Sequence, residues 1–229
     1  MIGGVAAWLS DPVHWSGPDG VPARLLEHLG YSVIAVVLGF LIAFPLGVLI
    51  GHTGRGTFLV AGAANAFRAL PTLGLLILLV LLLSGALPYP SGYRVPAVVV
   101  LVLLAIPPIL SGTYSGIANV DPAVRDAAYG MGMTGGAVAL RLEVPVSFPL
   151  ILGGIRSAFL QVVATATVVA YVSLGGLGRF ILDGLSQRDY AQMASGALLV
   201  ALLAIVLDLM LAGVQRLFTK PGLSTRPAS

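Results

Sequence analysis

The chain contains no cysteine. That excludes a disulfide framework, a thiolate metal site and a cysteine nucleophile, and it leaves the redox compartment open. Charge is scarce as well. Asp, Glu, Lys and Arg make up 9% of the 229 residues, against about 25% in soluble domains. Histidine occurs three times, at His14, His28 and His52, with no carboxylate at metal-ligand spacing. No metal site is expected. The glycine-rich GHTGRGT at 51–57 lacks the lysine of a phosphate-binding loop, and neither G-x-S-x-G nor H-E-x-x-H occurs. The chain is therefore expected not to be an enzyme and to bind no cofactor. The N-terminal MIGGVAAWLSDPVHW has no basic region and no long apolar stretch, so it reads poorly as a signal peptide.

What remains is apolar. Hydrophobic residues are 58% of the chain and the mean hydropathy is +1.00. A soluble core of this size cannot hide so much apolar surface. The composition predicts an all-α integral membrane protein. A crossing needs about 20 apolar residues, and five runs qualify: 29–51, 69–88, 95–118, 149–172 and 191–211. Pro45, Pro107 and Pro108 lie inside these runs and are expected to kink their helices. Residues 1–27 form a short N-terminal segment, 28–218 the transmembrane domain and 219–229 a flexible cytoplasmic tail.

Basic residues set the expected orientation. A cytoplasmic C-terminus puts eight of them inside: Arg55, Arg68, Arg125, Arg141, Arg156, Arg216, Lys220 and Arg226. Arg24, Arg94, Arg179 and Arg188 fall outside, near acidic residues. The excess predicts N-out and C-in. Trp8 and Trp15 are candidate anchors at the outer interface. The net charge of +3 fits basic inner loops and suggests no nucleic acid partner. Arg156 and Asp208 are the charges closest to the spans, read as interfacial groups or a structural pair. Gly112 and Gly116, four apart, have the spacing of close helix packing.

The inner loop between spans three and four differs from its surroundings. Asp121-Pro122 is a helix start, with an Asp cap and a proline in the first turn. The helix is expected to run to Tyr129. Gly130 and Gly132 then loosen the backbone, Thr134 caps a second short turn to Leu140, and Pro145 and Pro149 separate it from span four. Met131 and Met133 are adaptable contact residues, with Arg125, Asp126, Arg141 and Glu143 as a polar rim. Such a hairpin suits docking to a soluble partner.

These residues resemble the cytoplasmic E-A-A-x-x-x-G loop of bacterial ABC importer permeases, which has a proline thirteen residues beyond the glycine. Asp126-Ala127-Ala128, Gly132 and Pro145 hold those positions. Further stretches, FPLGVLIG (44–51), RALPTLGLL (68–76), LEVPVSFPLILGGIR (142–156) and GGLGRFILDGL (175–185), are similar to permeases for quaternary-amine osmoprotectants such as glycine betaine, choline and carnitine. Two departures stand out. Asp126 replaces the usual glutamate, and Gly135-Gly136-Ala137-Val138-Ala139 is smaller than the family's usual run.

The resemblance implies a MetI-like permease in a bacterial cell membrane. It implies a second permease subunit, identical or related, two cytoplasmic ATPases that use ATP, and an extracytoplasmic binding protein facing 84–94 and 173–190. Residues 121–145 would be the coupling loop, with Asp126, Ala127, Ala128, Gly130, Met131, Gly132, Met133, Thr134, Arg141, Glu143 and Pro145 at the ATPase. Tyr114, Phe159 and Tyr171 are candidate pathway residues. Aromatics are 7% of the chain, so solute selection is expected mostly in the binding protein. The alternatives are a permease for another small solute, such as an amino acid, and a secondary transporter.

Overall fold

The computed structural model describes residues 2–58, 60, 62, 71–172 and 175–218. Among these, all regular structure is helical. The expected tail at 219–229, the first two residues of the 69–88 run, Arg68, and residues 173–174 of an outer loop lie outside them.

The helices are α1 (Ile2–Ser10), α2 (Val21–Thr53), α3 (Thr72–Leu83), α4 (Ser91–Ala118), α5 (Pro122–Gly130), α6 (Gly135–Val138), α7 (Val144–Val169), α8 (Gly178–Gln187) and α9 (Tyr190–Phe218). α2 begins earlier than position 28, because Pro22 sits in its first turn and costs no hydrogen bond there. It ends at Gly54, whose left-handed φ of 67° lets its N–H reach the Ile50 carbonyl. Pro45, Pro107 and Pro108 are carried inside continuous helices. Two helices beyond the expected spans appear, α1 and α8, and both pack on α9.

Among the described residues, four helical runs are long and apolar enough to cross a membrane: Val21–Thr53, Ser91–Ala118, Gly135–Val172 and Tyr190–Leu217. The expected count was five. The described helix of the 69–88 run, α3, has 12 residues, about 18 Å of rise, short of roughly 30 Å of hydrocarbon. Its apolar composition continues to Leu87, but the backbone does not. The helix stops at Ser84, and Ser84–Pro90 is a turn rich in glycine and proline.

α4 is the centre of the bundle, packed between α2 and α7. Lipid supplies no hydrophobic drive between helices, so close backbone approach must do the packing. On α2, Gly39, Ala43, Gly47 and Gly51 repeat every fourth residue and are all buried. They face Ala105, Ile109, Thr113 and Ile117 of α4, each 0% exposed. A Cβ on Gly47 would lie 2.7 Å from Thr113 Cβ. The opposite side of α4 meets α7 in the same way: a Cβ on Gly112 would lie 2.8 Å from the Gly154 Cα. The close-packing reading of Gly112 and Gly116 therefore holds.

A second apolar cluster joins Trp8, Val21, Val163, Leu177, Phe180 and Leu203. Trp8 is part of it, 7% exposed, with its ring stacked 4.1 Å from His14 and edge-on to Phe180. It is a core residue and not an interfacial anchor; Trp15, 46% exposed, is free for that role. Large apolar side chains such as Leu41 on α2 and Leu202, Ile205 and Leu209 on α9 face outward, as a lipid-facing surface requires. Arg156 and Asp208 form a two-pronged ion pair between α7 and α9, with N–O distances of 2.6 and 2.8 Å. That is the structural pair anticipated.

Gly154→Val is expected to push α7 off α4, because the new Cβ would sit 2.7 Å from the Pro108 carbonyl oxygen. Overpacking of this kind costs about 1–3 kcal/mol, read as a lower melting temperature in detergent. Gly213→Ala, in open space, is the control and should change little.

Candidate functional site

The hairpin after α4 is built from its caps. The Asp121 side chain accepts from the Ala123 N–H at 2.9 Å, and Pro122 fills the first turn of α5. The other end closes as a Schellman motif. The Gly132 N–H reaches the Tyr129 carbonyl at 2.9 Å, and the Met133 N–H reaches Ala128 at 3.1 Å. This requires a left-handed residue just past the helix, and Gly132 has φ of +84°. So Gly132 does more than loosen the chain, while Gly130 is simply the last helical residue.

Thr134 precedes α6 in extended conformation, but its side chain makes no capping bond. The backbone does that work, with the Val138 N–H on the Thr134 carbonyl at 2.9 Å. Pro145 and Pro149 do not separate hairpin from span. α6 passes through a wide π turn at Ala139–Glu143, closed by the Val144 N–H on the Ala139 carbonyl, straight into α7. Pro145 enters in the first turn of α7, where the missing N–H costs nothing within α7. The helical run is continuous from Gly135 to Val172.

Glu143 is the larger correction. Expected on a polar rim, it is 0% exposed. Its Oε2 lies 2.7 Å from His52 Nδ1 and its Oε1 lies 2.6 Å from Arg125 Nε. A second nitrogen of the Arg125 guanidinium donates to the Ile117 carbonyl. A buried carboxylate needs such partners. One side chain thus ties together the end of α2, the end of α4, the hairpin helix α5 and the root of α7. The His52 contact spans 91 residues of sequence, and no local pattern announces it.

The rest of the hairpin divides by face. Asp126, Ala127, Gly130, Met131, Gly132, Thr134, Arg141 and Pro145 are exposed, Met131 at 78%. Met133 is half-buried, and Ala128 is buried against the bundle. In the small-residue run, Val138 and Ala139 are buried, and Gly136 and Ala139 line an apolar cleft with Phe44, Pro45 and Val48 of α2. Small side chains there let the hairpin lie along α2.

The three candidate pathway residues are not brought together. Tyr114 packs on the core shared by α2, α4 and α7. Phe159 is half-buried between both apolar clusters. Tyr171 is 56% exposed beside Leu73 and Gly178. Among the described residues no group of three or more His, Asp or Glu side chains is placed to hold a metal.

Removing the Glu143 carboxylate strands Arg125 and His52. Breaking a buried ion pair from one side costs about 3–5 kcal/mol. Glu143→Ala should approach that loss, lowering the melting temperature of the purified chain. Asp126→Ala, on the open face, should leave it unchanged.

Comparison with known proteins agrees with this architecture. Residues 32–220 match the family described as binding-protein-dependent transport system inner membrane component. The glycine betaine/carnitine/choline transport system permease protein OpuCB of Bacillus subtilis is 36% identical over 86% of this chain and 88% of its own length. The choline transport system permease protein OpuBB of the same organism is 35% identical over 87% of this chain and 89% of its own. A solved structure of the MetNI methionine ABC transporter in an inward-facing conformation superposes with a TM-score of 0.74 at 20% identity, over 85% of this chain and 94% of that one. The all-α, MetI-like fold is thereby shared. The chain belongs to the family of binding-protein-dependent transport system inner membrane components, and is a multi-pass membrane permease subunit of an ABC importer, not an enzyme.

Proposed function

We propose that this permease imports quaternary-amine osmoprotectants such as glycine betaine, choline or carnitine, using ATP hydrolysed by separate ATPase subunits. The observation that carries the coupling part is the hairpin. It projects Asp126, Ala127 and Met131 outward while Glu143 and its partner Arg125 hold its base to the ends of α2 and α4. An exposed, adaptable tip on a fixed base suits transmission of force from a docked partner. The solute part is supported by the relatives, whose names specify betaine, carnitine and choline.

In this reading the hairpin, 121–145, is the cytoplasmic coupling element. The permease domain runs over 28–218 and has five crossings, the one containing α3 among them. The orientation is N-out and C-in, as the basic residues favour. Two permease subunits form the pathway, and a binding protein delivers solute to the opposite end of the bundle. ATP binding draws the ATPases together and moves the hairpins, the outer end opens, and hydrolysis resets it. Tyr114, Phe159 and Tyr171 remain candidates for the pathway wall.

The test is copurification. Asp126→Arg and Gly132→Leu are expected to reduce recovery of the ATPase with the permease at least about tenfold, with membrane insertion unchanged. Leucine at 132 would force a left-handed φ on a side chain that disfavours it by roughly 1–2 kcal/mol. Proteoliposome uptake of glycine betaine that stays ATP-driven in both variants would sink the coupling assignment. Wild-type uptake that responds to amino acids and not to betaine, choline or carnitine would sink the solute assignment.

A further inference from the structure

At the end of the bundle opposite the hairpin there is a cavity of about 470 Å³. It lies between the start of α2, the start of α4 and the loop after α7. Its wall holds three of the chain's seven tyrosines, Tyr31, Tyr89 and Tyr93. For a chain so poor in aromatics this is a concentration. Tyr89 and Tyr93 meet edge to face with centroids 6.2 Å apart. The same wall carries Glu27, Arg24 and Arg94.

The charges are not all spent on each other. Arg24 pairs with Asp19 and, at 2.9 Å, with Glu27 Oε2. The same Oε2 accepts the Gly176 N–H at 2.9 Å. The other oxygen of Glu27 accepts no hydrogen bond from the described residues, and the side chain is 41% exposed. Arg94 is exposed and makes no ion pair among the described residues. The cavity thus offers tyrosine rings and a free carboxylate oxygen for a cation, with a free guanidinium for an anion.

The cavity is a built site. The loop is strapped onto Glu27 through Gly176, at φ +90°, and a side chain at the preceding position would push the carboxylate aside: a Cβ on Gly175 would fall 1.8 Å from Glu27 Oε2. Glycine at 175 and 176 is what lets the loop close on the carboxylate.

We propose that this tyrosine-lined cavity is a solute site on the permease itself, taking a small zwitterion with a quaternary ammonium at one end and a carboxylate at the other. The tyrosine faces and Glu27 hold the ammonium by cation–π and Coulomb attraction. Arg94 holds the carboxylate. The proposal rests on the osmoprotectant reading and deepens it: part of the discrimination passes from the binding protein to the permease, where the low aromatic content predicts little.

The test uses the whole transporter with its ATPase subunits. Labelled glycine betaine retention is measured in lipid nanodiscs without binding protein, and betaine uptake is measured in proteoliposomes with it. Tyr89→Leu and Tyr93→Leu should each weaken retention about 2- to 30-fold, while Tyr89→Phe and Tyr93→Phe stay near wild type, because the ring face and not the hydroxyl holds the cation. Glu27→Gln, which keeps an acceptor for Gly176, should weaken it about two- to fivefold. The carbon isostere 3,3-dimethylbutyrate, the same shape without the positive charge, should not compete. Equal retention in the leucine variants, or competition by the isostere, overturns the site even if wild-type uptake of betaine is intact. Changes confined to uptake with binding protein present assign the cavity to protein docking and also overturn it. A wild type that takes up no quaternary amine overturns the osmoprotectant reading, and the site with it.

Discussion

Everything in this bundle depends on α4 being approachable from two sides. Helices in lipid gain nothing from hiding apolar surface from each other, so they adhere where backbones come close or polar groups pair. α4 meets the glycine-alanine stripe of α2 on one side and Gly154 of α7 on the other. Each seam removes the space that a methyl group would need. The three long helices are therefore locked side by side along most of their length, and the ends of all three emerge together at each face. Both candidate sites sit where those ends converge: Glu143 gathers one set, the tyrosine cavity the other.

The two ends solve opposite problems with one device. At each, a glutamate binds a distant segment. Glu143, fully buried, pairs with an arginine and a histidine and fixes the hairpin root to its neighbours. Glu27, partly open, holds a loop by a single backbone N–H and keeps one oxygen free. A buried pair is costly to break; a half-exposed one is not. The hairpin end is thus the rigid one, and the loop end is the one whose contacts exchange readily.

Much of this was legible in the sequence because membrane chemistry is written in composition. Long apolar runs located the four helices long enough to cross a membrane to within a turn or two at most ends. Asp121, Pro122 and Gly132 foretold the limits of α5, since capping is local. What misled was each case where position along the chain stood in for position in space. Apolar content carried the 69–88 run past the point where α3 turns. Pro145 read as a break, because the wide turn at 139–143 just before it cannot be seen in hydropathy. Glu143 read as surface because charge usually is; its partners lie on two other helices. The tyrosine cavity was invisible for the same reason: Tyr31 and Tyr89 are far apart in sequence, and only the α2–α4 seam brings them together.

The unbroken run from Gly135 to Val172 has a mechanical consequence. Its 38 residues make a rod of about 57 Å. A tilt of about 5° about one end displaces the other by roughly 5 Å at that length. Had Pro145 cut the chain, a push on the hairpin would have been absorbed at a joint. With no joint, the hairpin and the far wall of the bundle are two ends of one lever. One soft place near the hairpin is the π turn, and Glu143, at the end of that turn, is clamped from both sides.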